Sequence, residues 1–179
     1  MSVGEQLTEQ ENPMKRIRVE KVVLNIGVGK SGEPLEKAKA VLSSITGVKN
    51  VWERRARKTI REFGVRKREP IAVAVTLRGQ RAESILPRLL QAVGMKLKLS
   101  SFVGRMVSFG IKEHIEVPGV KYDPNLGIFG MDVTVALERP GYRVARRKRR
   151  TSRIGARAMI NSEETANFLS SRYGVQLVK

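Results

Sequence analysis

The residues with the clearest chemical use in this chain are cations gathered in two runs. The first run, residues 53–69, holds eight cations and three acids, and the second, residues 139–157, holds nine cations and no acid. Together they carry +14 of the formal net charge of +18. Residues 146–150 are five consecutive cations, a density that repels itself unless a polyanion neutralises it. The excess of arginine over lysine suits forked contacts to phosphate, so the two runs predict a nucleic-acid partner.

The composition favours folded RNA over other polyanions. Aromatic residues make up only 5% of the chain, and Phe63 alone lies in the first run, so stacking of an open single strand is not expected to be the main mode. Recognition of folded RNA by shape and phosphate fits better, and no helix-turn-helix or zinc module for DNA is visible. No stretch approaches the roughly 20 apolar residues of a membrane span, so we expect no membrane partner. The absence of cysteine is compatible with a cytoplasmic protein.

A glycine pattern raises one alternative, a dinucleotide-dependent enzyme. Its GxGxxG residues are Gly27, Gly29 and Gly32. They follow a predicted strand and precede a predicted helix, and Glu53 stands where a ribose-binding acid is expected. Against this, Glu33 places a carboxylate where a pyrophosphate needs positive potential. No crossover helix separates the predicted strands 48–52 and 71–78, so a tight strand-to-helix turn is the favoured interpretation.

The remaining reactive side chains do not form a catalytic pattern. His114 is the only histidine and there is no cysteine, so we expect no metal site and no histidine-based nucleophile pair. The acids that follow or flank it have no spacing that would place two of them across a cleft. These are Glu113, Glu116, Asp123 and Asp132. We therefore expect a protein that is not an enzyme and needs no cofactor, with a structural or surface role for His114.

The elements that hold the two runs follow from the spacing of apolar residues. Strands are predicted at 17–28, 48–52, 71–78, 95–99, 105–111, 131–138 and 175–178. Helices are predicted from Pro34 to Gly47, over 81–93, and from a cap at Asn161 or Ser162 to Gly174. A change of alternation near Glu20 and Lys21 indicates a bulge in the first strand. Pro87 predicts a kink or a late start in the second helix.

These elements predict an α+β domain: a largely antiparallel sheet with helices packed on one face, an open RNA-binding face and two long basic loops. In the strand 71–78, Val73, Val75 and Leu77 point to the helices, whereas Thr76 and Arg78 point to the open face. We expect residues 1–13 to form a flexible tail. Residues 14–179 are expected to form a single domain that includes the basic loops 53–69 and 139–157.

Seven sequence blocks in order resemble the ribosomal protein L5 family of the large subunit, in its archaeal or eukaryotic type and more specifically its archaeal form. The blocks are KVVLNIGVG (21–29), ITGVKNV (45–51), KTIREFGVRKRE (58–69), AVTLRG (74–79), SFGIKEHI (108–115), YDPNLGIFGMD (122–132) and ERPGYRVARRKRR (138–150). The resemblance runs from about Asn12 to the C-terminus. The second basic run is the mark of the archaeal and eukaryotic branch.

The resemblance implies a scaffold protein of the ribosomal central protuberance that binds 5S rRNA and helps to attach it to 23S rRNA. It also implies a place beside protein L18, a bridge to small-subunit protein S13 and a flexible loop that reaches P-site tRNA. The residues expected to bind 5S rRNA are Lys21, Asn25, Thr76 and Arg78. Those expected in the tRNA loop are Arg55, Arg57, Lys58, Arg61, Phe63, Arg66 and Arg68. Those expected to bind 23S rRNA are Arg143, Arg146, Arg147, Lys148, Arg149, Arg150 and Arg153.

One position departs from the family pattern. Val48 follows ITG where many members have a glutamine that contacts 5S rRNA, so one polar contact is expected to be missing or replaced. The alternative to the ribosomal interpretation is a basic RNA- or DNA-binding module that acts outside the ribosome. A preference for 5S rRNA over unrelated duplexes would distinguish the two.

Overall fold

The computed structural model describes residues 12–178, which form eight strands and three α-helices. The strands are β1 (Arg18–Gly27), β2 (Trp52–Arg55), β3 (Pro70–Arg78), β4 (Lys96–Lys98), β5 (Phe102–Val103), β6 (Met106–Ile111), β7 (Met131–Glu138) and β8 (Gln176–Val178). The helices are α1 (Glu33–Thr46), α2 (Gln80–Ala92) and α3 (Ser162–Tyr173). Residues 1–11 of the tail predicted over residues 1–13 lie outside the described residues.

Six strands form one sheet in the order β2-β3-β1-β7-β6-β5, and every neighbouring pair is antiparallel. The predicted α+β class with a largely antiparallel sheet is therefore confirmed. β4 and β8 pair in parallel as a separate two-stranded sheet, which places the last described residues against the segment after α2. The expected edge strand at 95–99 is thus real but short.

The core lies between one face of the six-stranded sheet and the helices. Every second residue of the central strands is buried, as the alternation predicts. The helices oppose them with apolar stripes at helical spacing. The buried helix residues are Leu35, Ala38, Val41, Leu42 and Ile45 on α1, Ala82, Ile85, Leu86, Leu89 and Leu90 on α2, and Ala166 and Leu169 on α3. On the opposite face of the sheet, Asn25, Thr76, Asp132 and Thr134 are at least partly exposed.

Helix ends follow the local signals in the sequence. Gly47 and Gly174 end α1 and α3 in the left-handed conformation, with φ of 67° and 71°, which glycine adopts without strain. Asn161 is the N-cap of α3, and its N–H donates to the Glu164 carboxylate at 3.1 Å. These three boundaries agree with the predictions.

The second strand was predicted at the wrong place. The second strand begins at Trp52 rather than at Val48, because pairing with β3 sets its position and all four of its residues are exposed, so no apolar alternation marks it. The first predicted basic loop therefore begins inside a strand. The helix α2 lies within one residue of its predicted range and contains Pro87 in its interior, so of the two expected effects of this proline, a kink or a late start, the late start is wrong.

Candidate nucleic-acid interface

The open face of the sheet is a set of rows that cross the strands. One row runs from Trp52 to Ala74, Asn25, Asp132 and Gly110, since each residue is the register partner of the next. Directly opposite residues in an antiparallel pair point to the same side, so these five positions share one face. A neighbouring row joins Thr76, Val23, Thr134 and Ser108, and a third joins Arg78, Lys21, Ala136 and Met106.

The four residues predicted for 5S rRNA lie together on this face. Lys21 and Arg78 are register partners, Thr76 lies in the next row, and Asn25 lies in the row after that. Sequence reasoning missed other members of the face: Trp52, Arg54, Ser108, Asp132 and Thr134. The hydroxyls of Ser108 and Thr134 are 3.1 Å apart and share a hydrogen bond. Alternation within β7 would have indicated Asp132 and Thr134, whereas β2 lacks such a pattern.

The β1 bulge holds a buried carboxylate that gathers arginines from distant segments. Register with β7 shifts between Val19 and Lys21, which confirms the predicted bulge and leaves Glu20 without a partner on β7. Only 3% of the Glu20 side chain is exposed, and its oxygens pair with Arg78 at 3.5 Å, Arg105 at 2.7 Å and Arg146 at 2.5 Å. Charged groups are buried at a tolerable cost only when they are paired in this way.

A second buried acid, Glu138, completes this network. It accepts from Arg18 at 2.7 Å and from the second guanidinium nitrogen of Arg146 at 2.6 Å. Arg146 thus bridges Glu20 and Glu138. Although burial raises the pKa of Glu20, the charges of Arg146, Arg105 and Lys21 outweigh it and hold that pKa below its usual value of 4.5. The carboxylate stays ionised, and the network ties the start of the second basic run to the sheet.

The first basic run folds back on itself beyond β2 and β3. Ala56 N–H donates to Glu69 O and Arg68 N–H to Ala56 O, both at 2.8 Å. Ile60 and Val65 form an isolated bridge near the tip. The Glu69 carboxylate accepts from Ser31 Oγ at 2.6 Å, which fixes the base of the run to the turn after β1. The backbone of the segment is therefore held by hydrogen bonds at its base and near its tip.

The predicted tRNA-loop residues all lie on the surface of this folded segment. Arg55, Arg57, Lys58, Arg61, Arg66 and Arg68 are exposed, and Phe63 is 72% exposed. An apolar cavity of about 650 Å³ lies between the segment and the end of β1. Val28, Ile60, Phe63, Val65 and Ile71 are among the residues that line it. Cations and an apolar recess thus share one end of the molecule.

The second basic run is anchored through Arg139, Tyr142 and Arg146, and its other cations form no ion pair within the part of the chain that the structure describes. Arg139 pairs with Glu164 at 2.8 Å, and the buried Tyr142 donates its hydroxyl to Ala158 O at 2.6 Å. Of the seven residues predicted to bind 23S rRNA, six are exposed without a carboxylate partner among residues 12–178: Arg143, Arg147, Lys148, Arg149, Arg150 and Arg153. Arg146 differs, since both ends of its guanidinium already hold carboxylates.

The glycine turn after β1 does not form a dinucleotide site. The N–H groups of Val28 and Gly29 both donate to Ile71 O, at 3.0 and 2.8 Å. They therefore already have an acceptor in the sheet and cannot donate to a phosphate. β1 and β3 are antiparallel neighbours, whereas a dinucleotide fold needs parallel strands. The alternative of a nucleotide-dependent enzyme at Gly27, Gly29 and Gly32 is therefore wrong.

His114 has a structural position. It is buried, its N–H donates to Phe129 O at 2.9 Å, and its Nδ1 accepts from Phe129 N–H at 3.3 Å. Burial lowers the pKa of His114 from its usual 6.5. Residues 12–178 contain no group of three or more histidine, aspartate or glutamate side chains placed to hold a metal ion. No helix in that range is long and apolar enough to cross a membrane.

An open polar sheet face flanked by two exposed cationic segments is typical of a ribosomal RNA-binding protein, and sequence comparison agrees. The family model described as ribosomal protein L5 matches residues 12–66, and the model for the C-terminus of the same ribosomal family matches residues 70–173. The large ribosomal subunit protein uL5 of Sulfurisphaera tokodaii is 52% identical over 175 residues, which cover 96% of this chain and 98% of that protein. Its counterpart from Pyrobaculum aerophilum is 54% identical over 167 residues, 93% of each chain. The uL5 protein of Nanoarchaeum equitans is 48% identical, over 94% of this chain and 99% of that protein.

The chain belongs to the ribosomal protein L5 family and is of the archaeal type. Members of this family are structural ribosomal proteins rather than enzymes, which agrees with the expectation from the residues. The alternative of a basic module outside the ribosome is not supported by these matches.

Proposed function

We propose that this large-subunit ribosomal protein binds 5S rRNA on the open face of its sheet and helps to attach it to 23S rRNA in the central protuberance. Membership of the family makes the chain a constituent of the cytoplasmic large ribosomal subunit, with rRNA as its partner. The proposal concerns which surface of the protein binds which RNA. In it, Lys21, Asn25, Thr76 and Arg78 contact 5S rRNA.

The observation that carries the proposal is the row structure of the open face. Asn25 and Thr76 lie on adjacent central strands, on the side that no described helix covers, with Lys21 and Arg78 in the next row. Amide, hydroxyl and cationic groups at strand spacing can follow an RNA backbone and reach its 2′-hydroxyls. The face has too few aromatic side chains to stack the successive bases of a single strand, so folded RNA is the ligand that fits it.

The two cationic segments serve the other RNA partners in this proposal. The second run contacts 23S rRNA phosphates through the six exposed, unpaired cations of its predicted set, and the Arg146 network fixes its direction relative to the sheet. The first run contacts P-site tRNA from the far end of β2 and β3. Protein L18 beside the 5S rRNA and protein S13 across the subunit interface complete the proposed set of partners.

The test is a double substitution on the open face. Asn25→Ala with Thr76→Ala removes two polar contacts worth about 0.5–1.5 kcal/mol each, so 5S rRNA affinity should fall about 5-fold to 150-fold in a filter-binding assay. Asn167→Ala with Ser170→Ala, which truncates two exposed polar residues of α3, is the matched control and should bind normally. Unchanged affinity of the first variant would refute the assignment of the face.

A further inference from the structure

Trp52 is the one tryptophan of the chain, and its side chain is 76% exposed. Single exposed apolar residues are common on protein surfaces and by themselves indicate nothing. Trp52 differs because it stands on the open face, at the edge strand, opposite Ala74. Ala74 is small, and among the described residues no aromatic ring or guanidinium group stacks on the indole.

Trp52 forms one wall of a cavity of about 540 Å³ on the open face. The lining residues are Val48 and Asn50 from the segment before β2, Trp52 and Arg54 from β2, and Ala74, Val75, Thr76 and Arg78 from β3. Apart from Val75, which belongs to the buried face, they alternate along both segments, as expected of residues that share one face of a sheet. A volume of this size is in the range of small-ligand sites.

The lining chemistry matches one kind of ligand. The indole of Trp52 offers a flat stacking surface, and Val48 and Ala74 form an apolar floor. The Asn50 amide can both donate and accept, as the edge of a base requires. Arg54 and Arg78 add two positive charges, and no carboxylate of the described residues lines the cavity. The Glu20 carboxylate holds Arg78 from outside the cavity at 3.5 Å, which orients its guanidinium.

We propose that this pocket takes one unpaired base, extruded from the folded RNA on the open face. The base stacks on Trp52, Asn50 contacts its edge, and Arg54 and Arg78 hold the flanking phosphates. This inference rests on the proposed 5S rRNA function of the face and adds a specificity element to it. A fully paired helix cannot fill the pocket, because its bases are stacked on one another.

The single tryptophan allows a direct test by fluorescence on the full chain. Titration with transcribed 5S rRNA should quench Trp52 emission and shield it from acrylamide, whereas a fully paired RNA duplex of equal length should do neither at equal occupancy. Trp52→Ala should weaken 5S rRNA binding about 5-fold to 150-fold, the range for loss of one stacked base. Trp52→Phe should recover most of the affinity. Tyr122→Ala, which removes another exposed aromatic, is the control and should bind normally.

The outcomes separate this inference from the function on which it rests. Normal 5S rRNA binding by Trp52→Ala, or emission that is unchanged at saturation, would overturn the base pocket. If Asn25→Ala with Thr76→Ala still weakens binding in that case, the open-face function stands without it. Because Trp52 is mostly exposed, the alanine variant is expected to fold, and circular dichroism would verify this before binding is compared.

Discussion

The substitution Glu20→Gln tests whether the buried carboxylate network holds the second basic run to the sheet. Glutamine keeps the size of the side chain but removes its charge. Three guanidinium groups, those of Arg78, Arg105 and Arg146, then lose their ion pair with residue 20 at once. The bulge that turns residue 20 toward these arginines remains, so the change isolates the electrostatic contribution.

The expected loss of stability lies between two limits. Removing one partner of a fully buried ion pair costs about 3–5 kcal/mol, whereas an exposed pair contributes about 1 kcal/mol or less. The Glu20 side chain is 3% exposed, but its arginine partners are 33–57% exposed and can be rehydrated. Arg146 also keeps Glu138. We therefore expect a loss of about 2–3 kcal/mol, or a fall in Tm of about 4–12 °C for a chain of this size.

Urea unfolding at neutral pH measures the effect, and Glu83→Gln is the matched control. Glu83 is 42% exposed and pairs only with Arg172 among the described residues, at 3.2 Å, so its loss should cost about 0.5 kcal/mol. Because the pKa of Glu20 lies below 4.5, its contribution is complete above that pH and is lost as the pH falls through the folded-state pKa. The difference between the wild type and Glu20→Gln should therefore narrow in acid. Equal stability of the two glutamine variants at pH 7 would refute the network's structural role.

Two further predictions concern His114 and the first basic run. Burial lowers the pKa of His114, so the single histidine should titrate below pH 6.5 in NMR. The free energy of unfolding should therefore decline as the pH falls from 6.5 toward that midpoint. A midpoint at or above 6.5 would contradict this prediction. Combined Arg57→Gln, Lys58→Gln and Arg61→Gln changes should leave 5S rRNA affinity within about threefold in filter binding, since these residues lie off the open face, while P-site tRNA dissociates faster from ribosomes that carry the variant. A large loss of 5S rRNA affinity in that variant would contradict the separation of the two surfaces.

The fold class and most element boundaries could be predicted from local sequence. The alternation of Val22, Leu24 and Ile26 sets one buried face of β1 whatever the strand pairs with, and the shift of that alternation near Glu20 marks the bulge. Gly47 and Gly174 end their helices because the left-handed conformation is a local property of the backbone. The family resemblance likewise rests on short ordered blocks, so it could be recognised without coordinates.

Other features depended on contacts between segments far apart in the chain. β2 is exposed on both sides, so only its pairing with β3 places Trp52 on the open face and creates the pocket beside Thr76. Arg146 belongs to a run that carries no acid, and its two carboxylate partners come from strands β1 and β7. Local sequence thus determined which residues face the core and where helices end, since those depend on neighbours a few positions away. Tertiary structure alone decided which cations are paired and which remain free for RNA, because strand register brings charges together across more than a hundred residues.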